Sequence, residues 1–249
     1  MDRKIRVGAV SYMNTKPLIY GLEQGLMLDE IDLVVDFPAN IAQQLIDDEI
    51  DLGLVPVAVI PRLKYHHIVG DYGISCDGPV ASVCLFSEVP LAEITEVLLD
   101  YQSRTSVRLA KILLEKYWKK KVTLTDTRDD FRDRIKGTTA GVVIGDRALQ
   151  QRQVSPYIYD LGEAWKDFTG LPFVFAAWVS NKPLEEDFEV HFNALNRYGL
   201  DRLESVVKTH PFTDFDLMEY YTRYIAYELT EERRKGLAKY LEYLKEMNL

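Results

Sequence analysis

At 249 residues, 47% of them hydrophobic, the chain is long enough to bury a substantial core in one large domain or two smaller lobes. Its formal charge of −9, from 39 acidic and 30 basic residues, weighs against nucleic acid or an anionic lipid surface as a partner. The two cysteines, Cys76 and Cys84, lack metal-ligand spacing and read as free buried thiols.

The apolar run Ile5–Val10 predicts a strand. It passes into the polar cluster Ser11-Tyr12-Met13-Asn14-Thr15 and then a short helix from Pro17 to Gln24, stopped by Gly25. Residues Ile31–Phe37 predict a second strand, Asn40 a cap for a helix carrying Ile41, Leu45 and Ile46, and Leu52–Val55 a short buried strand ended by Pro56. This β-α-β-α-β order predicts parallel pairing with right-handed crossovers. Ala81–Ser87 is a continuous apolar strand. A second alternating series follows: a strand at Val97–Asp100, a helix capped by Ser103 and running to Tyr117, and a strand at Val122–Thr125. It continues with a helix at Asp129–Ile135, a strand at Ala140–Ile144, a helix at Asp146–Gln151 and a strand at Tyr157–Leu161. Phe173–Val179 is again fully apolar. From residue 183 onward the pattern is helical, with Leu200–Val207, Leu217–Tyr227 and Glu231–Met247 as clear segments.

Two βα series separated by apolar strands predict a two-lobe α/β clamp. Lobe 1 takes residues 1–87 and 180–249, lobe 2 residues 88–179, and the strands near 82–87 and 173–179 cross between them. Ligands bind such sheets at the carboxyl ends of the strands, in the crevice. That brings Ser11, Tyr12, Asn14, Pro56, Ser82, Ser103, Arg104, Thr105, Ser106, Gly145 and Asp146 around one cleft. Two of these segments are polar helix starts, where unpaired backbone N–H groups favour an anion. Ser11 and Asn14 could instead be plain caps of the first helix, as could one hydroxyl among Ser103, Thr105 and Ser106, although three hydroxyls and an arginine exceed what a cap needs. Ser82 could simply be a buried serine bonded to backbone. Asp146 could cap its own helix or bind or take a proton. Trp165, Phe168, Phe173 and Trp178 read as core, some of them as a possible wall around a ring. None of the four histidines has a metal-ligand or nucleophile partner, and there is no GxGxxG, P-loop or HExxH.

The charged start Met1-Asp2-Arg3-Lys4 is followed by only a short apolar run broken by Gly8, too short for the apolar stretch of an export signal. No window reaches the ~20 apolar residues of a membrane span. A cytoplasmic protein is expected.

Over nearly its whole length the sequence resembles the chorismate dehydratase family of the futalosine route to menaquinone. The resemblance rests on Ser11–Leu18, Leu54–Ala58, Cys76–Val83, Leu99–Ser106, Gly141–Asp146, Asp160–Trp165 and Gly170–Ala176. It implies a fold like the type II periplasmic solute-binding proteins, each lobe a mixed, mainly parallel sheet flanked by helices with the cleft between. It also implies a lyase that removes water from chorismate to give 3-[(1-carboxyvinyl)oxy]benzoate, with no cofactor, no metal and no obligate protein partner. A sister family of the same fold makes 1,4-dihydroxy-6-naphthoate and carries histidine in an Ile-His-Glu stretch aligned with Ile144-Gly145-Asp146. Gly145 therefore favours the dehydratase. On this resemblance Ser103, Thr105 and Ser106 would hold one carboxylate and Ser11, Asn14 and Ser82 the rest of the ligand. Asn14 would sit near the reacting carbon, orienting the substrate and stabilising developing charge, and Ser82 would be the second catalytic residue. The base would be Asp146 or the substrate's own side-chain carboxylate, the latter favoured. The competing class is a non-catalytic protein that binds a small acid, against which the absent export signal counts.

Overall fold

The computed structural model describes residues 3–249; Met1 and Asp2, half of the charged start noted above, lie outside the described residues. β1 (Ile5–Val10) runs through a single 3-10 turn at Met13–Thr15 into α1 (Lys16–Glu23), with Pro17 in its first turn, where its missing N–H costs nothing. Gly25 follows at φ +90°, a conformation only glycine adopts cheaply. β2 (Ile31–Asp36), α2 (Pro38–Ile46) and β3 (Leu52–Pro56) complete the first βαβαβ unit. Asn40 does not cap α2. The helix starts at Pro38, and the Asn40 amide instead donates back to the Asp36 carboxylate at 3.1 Å. β4 (His67–Cys76) was not foreseen, because Gly70 and Gly73 break its apolar pattern. Gly73 is needed there, since a Cβ would stand 2.7 Å from the Ala176 carbonyl oxygen.

β5 (Val83–Ser87), β6 (Glu96–Leu99) and α3 (Thr105–Ile112) follow, α3 running on as a π turn at Leu113–Tyr117. Then come β7 (Thr123–Asp126), β8 (Thr139–Ile144), α4 (Asp146–Gln151), β9 (Tyr157–Asp160), α5 (Leu161–Thr169) and β10 (Phe173–Ser180). The helix expected at Asp129–Ile135 is only a 3-10 turn at Arg132–Arg134. The Asp130 carboxylate accepts from the Arg132 backbone N–H and guanidinium, which favours a tight turn over a helix. The chain closes with α6 (Glu186–Leu200), α7 (Leu203–Thr209), α8 (Leu217–Glu219), a π turn at Tyr220–Tyr224, β11 (Ala226–Glu228) and α9 (Glu231–Glu246). The segment expected as one helix over Leu217–Tyr227 is thus a short helix, a π turn and an edge strand.

Eleven strands form two mixed sheets among the described residues. The first has the order β11-β4-β10-β3-β1-β2, the second β7-β6-β8-β5-β9. Parallel pairing is confined to β1 with β2 and β3, and to β6 with β7 and β8. Every other pairing is antiparallel, so the sheets are mixed but parallel pairing does not predominate. The reversals come from the two apolar strands, and their sheet membership corrects the expected lobe division. β5, placed above in lobe 1, pairs with β8 and β9 in the second sheet, while β10, placed in lobe 2, pairs with β3 and β4 in the first. A strand buried on both faces is uniformly apolar whichever sheet it joins, so its sequence does not report its partners. The crossings are the segments at 77–82 and 170–172. One continuous apolar core runs through both sheets, with a smaller cluster around Phe86, Phe131 and Val143 on one face of the second.

Candidate active site

The ends of β1, β3, β6 and β8 meet at one cavity between the sheets, which opens to solvent and, counted together with that opening, holds about 530 Å³ of non-atom space. Of the eleven residues singled out from sequence, nine line it: Tyr12, Asn14, Pro56, Ser82, Ser103, Arg104, Thr105, Ser106 and Gly145. Val10, Ile74, Val80, Ile144, Phe175 and Ala176 supply much of its apolar wall.

Ser11 and Asp146 do not line it. Ser11 continues β1, its N–H donating to the Asp36 carbonyl at 3.0 Å, and the alternation of an extended chain gives the cavity Val10 and Tyr12 instead. The Asp146 carboxylate accepts from the Met13 N–H at 3.1 Å and so ties the start of α4 to the turn before α1. It does not cap its own helix, whose N-cap is Gly145. Burial raises its pKa above the usual carboxylate value, against the Met13 hydrogen bond and the Lys16 charge. The aromatic residues expected as a wall, Trp165, Phe168, Phe173 and Trp178, pack in the core. Phe175, two residues from Phe173 and on the same face of β10, takes that place.

The tip of α3 is rich in donors. Ser103 Oγ accepts from the Ser106 N–H at 3.0 Å, as a cap does, and keeps its own proton free. Thr105 Oγ1 accepts from the Ala58 N–H at 3.2 Å, a bond from the segment after β3 to α3, and likewise keeps its proton. Capping and ligand binding are therefore compatible at these hydroxyls. Arg104 stands at the same tip, and the first-turn N–H groups of a helix have no partner within it. A carboxylate placed here meets several donors and the positive end of the helix dipole, worth ~0.3–1 kcal/mol, with ~1.5–3 kcal/mol for each hydrogen bond to a charged group.

Opposite α3, the backbone itself is forced into shape. Ala81 has φ +63°, rare for a residue with a Cβ, and it sets the direction of Ser82. Asp160 holds that loop: its carboxylate accepts from the N–H groups of Val80, Ala81, Gly162 and Glu163 at 2.8–3.2 Å. Burial raises the pKa of Asp160, and these hydrogen bonds oppose the rise. The Gly145 N–H donates to the Ser82 carbonyl at 2.8 Å, fastening the ends of β8 and β5. Gly145 itself has φ +64° and ψ −148°, and a Cβ there would lie 2.9 Å from the Tyr12 ring.

A polar network missed by sequence reasoning lies behind this wall. The Tyr12 hydroxyl donates to Gln102 Oε1, which also accepts from Arg147 Nη2 at 2.7 Å. Arg147 pairs with the Asp100 carboxylate at 2.8 Å, and that carboxylate accepts from the N–H groups of Gln102 and Ile144. Burial raises the Asp100 pKa and Arg147 opposes it. Asp100 was read as the end of a strand, and nothing local marks its pairing, because the partner Arg147 is forty-five residues from Gln102 along the chain. No group of three or more potential metal ligands occurs among the described residues.

The two-sheet architecture with a cavity at the strand ends is that of the periplasmic-binding-protein fold. SsuA, the periplasmic aliphatic sulphonate binding protein of Escherichia coli, superposes with a TM-score of 0.64 at 13% identity, covering 100% of this chain and 88% of its own. The protein AF1704 of Archaeoglobus fulgidus superposes at 0.81 with 14% identity, covering 98% of each chain. Residues 5–246 match the menaquinone biosynthesis family, and the chain belongs to it. Among curated relatives, the chorismate dehydratase of Thermus thermophilus is 27% identical over 267 residues, covering 96% of this chain and 94% of the relative. That of Campylobacter jejuni is 26% identical over 251 residues, covering 97% and 98%.

Proposed function

We propose that this protein is a chorismate dehydratase, a lyase converting chorismate to 3-[(1-carboxyvinyl)oxy]benzoate. The full-length kinship with chorismate dehydratases supports it, and the observation that carries the mechanism is the composition of the cavity wall. Hydroxyls, one amide and one arginine face the ligand, while no aspartate, glutamate, histidine or lysine does among the described lining residues. Such a pocket binds and orients a dicarboxylate but offers no ordinary general base.

Chorismate can supply the base itself. The proton to be lost sits on the ring carbon bearing the enol ether, beside that ether's carboxylate. The carboxylate takes the proton, and the C–H electron pair flows through the ring double bond toward the ring carboxylate. The neighbouring C–O bond then breaks, the departing hydroxyl collects the proton, and water leaves an aromatic ring. The balance is one water lost, with no oxidation and no co-reactant. Aromatisation makes the step strongly downhill, so the protein's task is positioning and charge stabilisation. In this reading Ser103, Thr105, Ser106 and Arg104 hold one carboxylate, and Asn14 and Ser82 stand at the reacting carbons. Tyr12, Pro56 and Gly145 shape the wall. Asp146 is a tie between α4 and the Met13 turn rather than the base, and Ser11 leaves the binding set.

The two sheets belong to two lobes that close on the ligand. A small molecule is the partner, with the net negative charge weighing against nucleic acid and anionic membrane, and the location is cytoplasmic. No helix of the described residues is long and apolar enough to cross a membrane.

Steady-state kinetics of two variants tests these roles. Asn14→Ala should lower kcat by about 10²–10³, as expected for loss of a group that stabilises developing charge. Asp146→Asn should keep kcat within tenfold. Loss of turnover in Asp146→Asn with chorismate binding intact would make Asp146 the base and defeat the substrate-assisted step.

A further inference from the structure

Three phenol hydroxyls from one short stretch of chain converge on the back of the pocket. The Tyr220 hydroxyl donates to Ser82 Oγ at 2.6 Å, that of Tyr221 to the Met13 carbonyl at 3.0 Å, and that of Tyr227 to the Asn14 carbonyl at 2.9 Å. The rings are buried, and none of the three lines the cavity. Tyr220 and Tyr221 open the π turn at Tyr220–Tyr224 and Tyr227 lies in β11. π turns are frequent at functional sites. This segment lies 138 and 213 residues from the two groups it serves, so no local motif announces it.

A serine hydroxyl has one proton to give and two lone pairs to receive. Ser82 is fully buried, and its side chain makes no other hydrogen bond among the described residues. With one lone pair taken by Tyr220, its proton and its second lone pair are left over, and of these the proton is the one an anion can use. The pocket, which Ser82 lines, is the polar direction open to that proton. Burial raises the Tyr220 phenol above its ordinary value, which favours the neutral, donating form of the hydroxyl. Its hydroxyl is also within reach of the Asn14 side chain. For an anionic ligand the useful chain runs from Tyr220 to Ser82 to ligand oxygen, every group donating forward.

We propose that Tyr220 is a positioning residue for Ser82: its hydroxyl, donated to Ser82 Oγ, fixes the serine proton toward the pocket as a donor to the bound anion. Tyr221 and Tyr227 hold the Met13–Asn14 turn through its carbonyls, so one C-terminal segment sets the geometry of both Asn14 and Ser82. The inference deepens the dehydratase reading and rests on it for its kinetic form.

A double-mutant cycle of Tyr220→Phe and Ser82→Ala tests it with two readouts: kcat and KM for chorismate, and calorimetric Kd for isophthalate, an unreactive aromatic dicarboxylate. Thermal melting verifies that each variant folds. Tyr220→Phe should lower kcat about tenfold, the worth of one hydrogen bond, with KM within about threefold. Combined with Ser82→Ala it should cause no further loss of kcat, and in isophthalate affinity each substitution should cost about threefold and the pair no more than either alone. A tyrosine that merely packs would leave kcat unchanged or act additively with Ser82→Ala, and coupling under twofold in both readouts overturns the proposal. If the wild-type protein leaves chorismate intact, the dehydratase reading falls and the isophthalate cycle alone decides. Additive effects there, or no binding, then overturn the positioning role as well.

Discussion

Gly145 is where conformation and packing meet most sharply, and Gly145→Ala should be costly for two separable reasons. With φ +64° and ψ −148° the residue sits in a region essentially reserved for glycine, which costs ~1–3 kcal/mol for any other residue. The added methyl would also stand 2.9 Å from two carbons of the Tyr12 ring, so the ring must move. Moving it breaks the Tyr12–Gln102 hydrogen bond, a further ~0.5–1.5 kcal/mol. The total is about 2–4 kcal/mol. At ~2–4 °C per kcal/mol for a protein of this size, the melting temperature should fall by about 4–16 °C. Gly170→Ala is the control: φ is +74° there, yet nothing lies within 4 Å of the added Cβ. It bears the left-handed strain alone, ~1–2 kcal/mol. Differential scanning calorimetry of both variants separates strain from crowding. A Gly145→Ala protein that melts within 1 °C of wild type, or no lower than Gly170→Ala, would refute the claim that Tyr12 packs on a bare backbone at this point.

Two further outcomes follow from the scaffold. In Gly199→Ala the new methyl would sit 1.9 Å from the Pro17 carbonyl oxygen, so α6 must be pushed off α1. Overpacking of this kind costs ~1–3 kcal/mol, and urea midpoints should fall without a change in slope. Asp51 is buried, which alone would raise its pKa, but hydrogen bonds from Arg6 and Lys182 outweigh burial and hold it well below its ordinary value of 3.8. A carboxyl lowered on folding adds stability that is present above 3.8 and is lost as pH falls through the lowered value. Wild type should therefore lose stability more steeply than Asp51→Asn as the pH is taken from 5 downward in acid titrations, and parallel curves would contradict the pairing.

Much of the fold was legible because hydrophobic period and helix punctuation are local. Pro17 and Gly25 mark real helix ends, and the four strands that end at the pocket were all read within a residue or two, whereas α5, capped by Asp160 and closed by Gly170, was not read as a helix. What failed was non-local. An apolar strand such as Val83–Ser87 carries no sign of which sheet it completes, and β4 hides behind Gly70 and Gly73, the first packed against Asn193 of α6 and the second closely approaching β10. The candidate pocket was legible for the same reason as the strands. Residues at strand ends and helix starts must face the crevice, and nine of those selected do. Ser11 lies one position of strand alternation away from the cavity wall. Asp146 lies off the cavity wall because its carboxylate reaches the N–H of a distant turn, a contact with no local sign in the sequence. The supporting shell of Gln102, Arg147 and the three tyrosines is made by tertiary contacts alone.

Incubating the purified protein with chorismate, and following the mixture by mass spectrometry and proton NMR, bears most directly on the whole account. The expected result is an aromatic product lighter by one water, formed without added metal or cofactor and lost in Asn14→Ala. Chorismate recovered unchanged from a protein that binds it would mark a carrier of small acids and contradict the account.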